Sequence, residues 1–144
     1  MGNRYSRWLG KFYYKQVEYI LALIKRNFKD TGIDTAKYLA VCEQLGQEPD
    51  PSKLPVERSD FPIEVQEAFM MHDLLSDIWE GMNGTYLGKD YAPLQTFLDI
   101  YEITDRKTTV WFLKHIDYHH SKLINDKQEQ KRKAQERKLK STRK

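Results

Sequence analysis

Apolar residues recur along this chain at intervals of three and four, in blocks separated by glycine, proline and acidic caps. The first block covers residues 5–29. Trp8, Phe12, Tyr13, Val17, Ile20, Leu21, Ile24 and Phe28 fall along one stripe, while Lys15, Glu18, Lys25 and Arg26 lie mostly off it. This periodicity predicts an amphipathic helix. Thr31 and Gly32 end it, and Asp34 or Thr35 caps a shorter helix that runs to about Leu45 and stops at Gly46. A third helix starts at Ser59 or Asp60, with Pro62 in its first turn. Its apolar face is Val65, Ala68, Phe69, Leu75, Ile78 and Trp79, with Met71, Leu74 and Met82 beside it.

The stretch Trp79–Ile103 organises the rest. Gly81, Asn83, Gly84, Gly88 and Asp90 make it a turn that folds two helical arms together. Asp90 caps a short helix with Pro93 in its first turn and Leu94, Phe97, Leu98 and Tyr101 on one face. Thr104 or Asp105 caps the last and longest helix, with Val110, Leu113, Ile116, His120, Leu123 and Ile124 as its apolar stripe. Past Ile124 only Ala134 and Leu139 are apolar. Residues of high helix propensity fill that segment, which leaves a free helical arm or a disordered tail. No stretch alternates convincingly as a strand should. The expected fold is all-α: four or five helices in one small domain, 1–126, followed by a basic C-terminal arm, 127–144. Residues 47–60 carry Pro49, Pro51 and Pro55 and form the best internal boundary.

Composition narrows the classes. At 144 residues, 40% hydrophobic and 12% aromatic, the chain is sized for one domain with a real core. A single cysteine, Cys42, excludes an internal disulfide and any zinc site built on several cysteines. It follows an apolar run and reads as a small hydrophobe. No apolar stretch of 18 residues occurs, so no membrane span is expected. The first ten residues lack the apolar core of a signal peptide, and the expected compartment is the cytoplasm. Gly2 and Ser6 match the short myristoylation pattern, which chance also produces.

The charge is uneven. The net charge is +3, but 127–144 hold nine basic and two acidic residues, 1–32 seven and two, and the middle is strongly acidic. Basic ends around an acidic body suit an extended partner, or self-association of ends with bodies into a homo-oligomer.

Four patterns could carry chemistry. His115 and His119, four apart, share a helix face as two imidazoles on one metal would, and His120 follows. The glutamate of the HExxH motif is absent, and the plainer reading is a polar strip with His120 at the edge of the core. His72-Asp73 matches the mid-helix pair of HD-type metal phosphohydrolases, but no histidine precedes it, and four ligands must converge there. Gly88-Lys89 is followed by Asp90 rather than Ser or Thr, which rules out a phosphate loop. The sequence therefore leads us to expect no catalytic residue, no metal and no cofactor. The fourth pattern is the arm itself. Lys131, Arg132, Lys133, Arg137, Lys138 and Lys140 could contact phosphate by counterion release, blind to sequence because no aromatic side chain accompanies them.

Residues 61–103, from Phe61-Pro62 through Phe69, Trp79, Gly88, Asp90, Tyr91, Leu94 and Leu98 to Ile103, resemble the small tail-assembly chaperones of tailed bacteriophages. Lys89 stands between the glycine and the Asp-Tyr pair, and both basic ends lie outside the resemblance. The resemblance implies a non-enzymatic phage assembly protein, acting in the host cytoplasm on another phage protein such as the tape-measure protein. In that reading Trp8, Phe12, Trp79, Tyr86 and Tyr91 are the candidate partner-binding residues. The alternative is a sequence-nonspecific nucleic-acid binder using its basic termini.

Overall fold

The computed structural model describes residues 14–29 and 34–143. Five α-helices and one two-stranded antiparallel sheet lie among them, in the order α1 (Tyr14–Asn27), α2 (Thr35–Leu45), α3 (Ile63–Leu74), β1 (Asp77–Trp79), β2 (Tyr86–Lys89), α4 (Leu94–Ile100) and α5 (Arg106–Thr142). Two short 3-10 turns, Pro51–Lys53 and Arg58–Asp60, interrupt the proline-rich loop. The chain forms the expected mostly helical domain, and its C-terminal arm takes the helical of the two forms the sequence left open. Trp8, Phe12 and the helix end expected at Thr31 and Gly32 lie outside the described residues.

Three of the caps read from the sequence form. Asp34 accepts from the Lys37 amide, Gly46 turns left-handed at φ 64° to end α2, and Asp105 accepts from the Thr108 amide at 3.2 Å. By contrast, α3 begins at Ile63 with Pro62 in the cap position and no side-chain cap, and Ser59 and Asp60 belong to the preceding 3-10 turn. Asp90 does not cap α4. Its carboxylate accepts from the Ala92 amide at 2.9 Å in a local turn, and Pro93 takes the cap position.

One apolar core joins α1, α3, α4 and α5. Val17, Ile20 and Ile24 of α1 meet Val65, Ala68, Phe69 and Met71 of α3, and Phe112, Leu113 and Ile116 of α5. Residues on both sides of the proline-rich loop therefore share one core. The loop itself is strapped down: the Arg26 guanidinium donates to the Leu54 carbonyl at 2.7 Å and the Asn27 amide to the Val56 carbonyl at 2.9 Å. The buried face of α5 keeps the expected Leu113 and Ile116, with Val110 partly buried against the core, and widens to Thr108, Thr109, Phe112 and Asp117. The Thr109 hydroxyl donates to the Glu67 carboxylate at 3.3 Å, so a polar pair stands where the sequence suggested only apolar contact.

The expectation of no strand is corrected at the end of α3. That helix stops at Leu74 rather than running through Trp79, because Leu75 turns extended (ψ 143°) and the chain doubles back. The turn is held by Glu80. Its carboxylate accepts from the Met82 and Asn83 amides at 3.0 and 2.6 Å, and its carbonyl accepts from Gly84, which sits at φ 66°. Asp77 then pairs with Lys89, Ile78 with Gly88 and Trp79 with Tyr86. Asn83-Gly84 is a hairpin signal. Ile78, Trp79 and Met82, which a longer α3 would have brought to the core, are instead exposed, Met82 at 93%.

Asp105→Ala removes the side-chain cap of the helix on which the fold is built. Denaturant unfolding should show a loss of about 1 kcal/mol, largely restored by Asp105→Ser.

Candidate functional site

The face of α5 that meets the hairpin is polar and buried. Asp117 is 8% exposed, yet a carboxylate there costs several kcal/mol unless its oxygens are bonded. The hairpin and the residues after it supply the bonds. The Tyr91 hydroxyl donates to Oδ2 at 2.7 Å, and the Lys89 amide approaches the same oxygen at 3.5 Å. Gly88 permits the approach. A Cβ there would stand 3.0 Å from Oδ2, and its φ of 107° disfavours any L side chain.

Two turns further along α5, Asn125 extends the hairpin sideways. It accepts from the Tyr86 amide at 3.1 Å and donates to the Tyr86 carbonyl at 3.0 Å, as a neighbouring strand would. The Tyr86 ring is buried between Trp79 and His120, with centroids 4.9 and 5.4 Å away. Its hydroxyl donates to Asp77 at 2.8 Å and lies 3.3 Å from Nδ1 of His120. Lys89 closes the edge, its ammonium 2.9 Å from Asp77 and 3.1 Å from the Leu75 carbonyl. On the α3 side, His72 is 5% exposed, and its Nε2 lies 3.6 Å from Oδ1 of Asp117.

The electrostatics follow this geometry. Burial raises the Asp117 carboxyl, but the His72 imidazole, the Tyr91 hydroxyl and the Lys89 amide outweigh it and hold the group at about 2. Such a group stabilises the fold fully above the unfolded carboxylate value of about 3.9, and that contribution fades as pH falls through the folded value. Asp77 is also lowered, by the Lys89 ammonium first. Burial raises both tyrosines, and their carboxylate partners add to it. Burial lowers His120, and the nearby His72 and Lys89 lower it further.

The residues singled out in the sequence divide as follows. Tyr86 is 2% exposed, which takes it off any docking surface, and the Tyr91 hydroxyl is committed to Asp117. Trp79 is half-exposed on the hairpin, against the Tyr86 ring, and Leu87 on the facing strand is exposed. His72 and Asp73 part company: Asp73 faces outward in a two-pronged ion pair with Arg58, so the HD arrangement does not form. His115 lies against Trp111 and His119 against Phe28, and among the described residues the pair gathers no third ligand. Burial lowers both imidazoles. Asp117 and Asn125 carry the site and were not among the sequence candidates, and Lys89 figured there only in the rejected phosphate loop and within the resemblance. The signal for Asp117 was an acidic residue one position from Ile116, inside an apolar stripe.

Lys131, Arg132, Lys133, Arg137, Lys138 and Lys140 all lie on the part of α5 that leaves the body, where every residue from Lys131 to Arg143 is exposed. Arg132 is engaged within the helix by Glu129 and Glu136, each at 2.7 Å, and Lys133 reaches Glu129 at 3.5 Å. No described helix is long and apolar enough to cross a membrane. Comparison with protein-family models, curated proteins and solved structures found no match.

Gly88→Ala places a methyl group against Asp117 at an unfavourable φ. Thermal and denaturant unfolding should show a loss of about 1–3 kcal/mol, while Gly81→Ala, which meets open space, should fall well short of that.

Proposed function

We propose that this chain is a non-enzymatic assembly protein that binds a helical protein partner, in the manner of a phage tail-assembly chaperone acting on a tape-measure-type client. The observation that supports the reading is the free half of α5. A 37-residue helix spans roughly 55 Å, and its last turns project with no part of the described chain covering them. A helix held rigid by its own packed half is a ready surface for a second helix. At the base of the arm the hairpin offers Trp79, Met82 and Leu87, exposed at 47%, 93% and 60%. Apolar side chains beside a cationic helix fit an amphipathic client with an acidic face.

A second reading, sequence-blind nucleic-acid binding, draws on the same arm. Internal ion pairs engage Arg132 and Lys133, whereas Lys131, Arg137, Lys138 and Lys140 make none among the described residues. Lys127, Lys131 and Lys138 follow helical spacings of four and seven and so share a face. The apolar hairpin has no role in phosphate binding, which places this reading second.

Co-expression with a long helical tail client tests the choice. The full chain should co-purify with it, and removal of residues 127–144, none of them in the core, should abolish the complex. Trp79→Ala with Leu87→Ala should weaken it at least tenfold. Salt-steep DNA binding that vanishes on the same truncation, without client capture, would install the second reading instead.

A further inference from the structure

The residues that lock the hairpin onto α5 also bring three metal-ligating side chains to one point. His72 from α3, and Asp117 and His120 from α5, each offer one donor atom, and these atoms lie within 4.8 Å of one another. Two imidazoles and a carboxylate are a donor set for first-row divalent ions. Such ions sit about 2.0–2.2 Å from nitrogen and oxygen, so tetrahedral ligand atoms stand about 3.4 Å apart. The 3.6 Å between His72 Nε2 and Asp117 Oδ1 is close to that spacing.

Three observations favour a cation over an ordinary buried His–Asp contact. First, His72 Nε2 is buried without a hydrogen-bond partner among the described residues, since 3.6 Å to Asp117 is too long for one. Second, Asp117 is oriented from behind. Tyr91 and the Lys89 amide approach Oδ2, while among the described residues Oδ1 faces His72 with only the Ser121 hydroxyl, at 3.5 Å, beside it. Third, the tautomer of His120 is set from outside. The Tyr86 hydroxyl gives its proton to Asp77, so its 3.3 Å contact with His120 uses the imidazole Nδ1–H as donor and leaves the lone pair on Nε2. Outer contacts of this kind orient metal ligands.

We propose that His72, Asp117 and His120 bind one divalent transition ion of the zinc class, with a further coordination position open on the side of half-buried His120. The ligands come from two helices, so the ion cross-links α3 to α5 behind the hairpin. Its charge adds to that of the Lys89 ammonium, which Asp77 balances at 2.9 Å. The site needs no partner protein and stands apart from the proposed chaperone role.

The test uses the untagged full chain, stripped with a chelator. Zn2+ is titrated in competition with a chromophoric chelator, and Co2+ is followed by its visible ligand-field bands. One equivalent should bind, with bands of a four- or five-coordinate ion, and thermal unfolding should move upward with added Zn2+. His120→Ala and Asp117→Asn should each weaken binding more than tenfold and remove the thermal shift. Tyr91→Phe, which touches no ion, should weaken it about 10–100-fold. His115→Ala should leave it unchanged. If Asp117→Asn does not fold, His120→Ala at its half-buried position decides. No uptake at micromolar ion, uptake that survives His120→Ala, or uptake lost with His115→Ala would each overturn the assignment.

Discussion

A buried carboxylate sets the terms for this fold. Asp117 sits on the inner face of α5, one residue past Ile116 in the core, and its charge must be met by groups that α5 cannot supply alone. Tyr91 and Lys89 meet it from the hairpin side, and His72 stands opposite on α3. Each has a structural consequence. Residue 88 must be glycine to let the backbone approach. Tyr91 must turn inward, where Lys114 covers its ring at 4.6 Å. The hairpin must lie flat on α5, where Asn125 completes its edge. An apolar residue at 117 would remove the reason for this geometry; an unsatisfied carboxylate would be costly.

Much of the fold was legible because helices announce themselves locally. Spacings of three and four gave α1, α3, α4 and α5, and short-range chemistry gave the caps at Asp34, Gly46 and Asp105. The hairpin was not legible for the converse reason. Ile78, Trp79 and Met82 continue the helical period of α3, and strands of three and four residues show too little alternation to compete. What decides the matter is distant in sequence: Asn125 on Tyr86 and Asp117 beside Gly88. The buried face of α5 is wider than its apolar stripe for a like reason: Thr109 is buried against Glu67, and a threonine in a helix gives no sign of that.

The candidate site was half legible, in pieces that belonged elsewhere. His72 was noticed beside Asp73 and His120 beside His115 and His119, because sequence neighbours invite pairing. Folding sends Asp73 out to Arg58 and joins His72 to His120 through a ring contact at 4.7 Å, with Asp117 between elements. The residues on which the proposed phage-chaperone reading draws have a plain structural role as well. Gly88 and Tyr91 serve Asp117, Trp79 covers Tyr86, and Leu94, Leu98 and Ile103 enter the core. They are the residues that build the hairpin platform, so the proposed assembly role rests on what the platform and the free arm leave exposed.

The central claim is that Asp117 and the segment after the hairpin hold each other in place. A double-mutant cycle between Tyr91→Phe and Asp117→Asn, read by denaturant unfolding of metal-free protein, measures this directly. A buried hydrogen bond to a charged group predicts a coupling of about 1.5–3 kcal/mol. Strictly additive effects would contradict the account, because Tyr91 and the Asp117 carboxylate would then not hold each other in place.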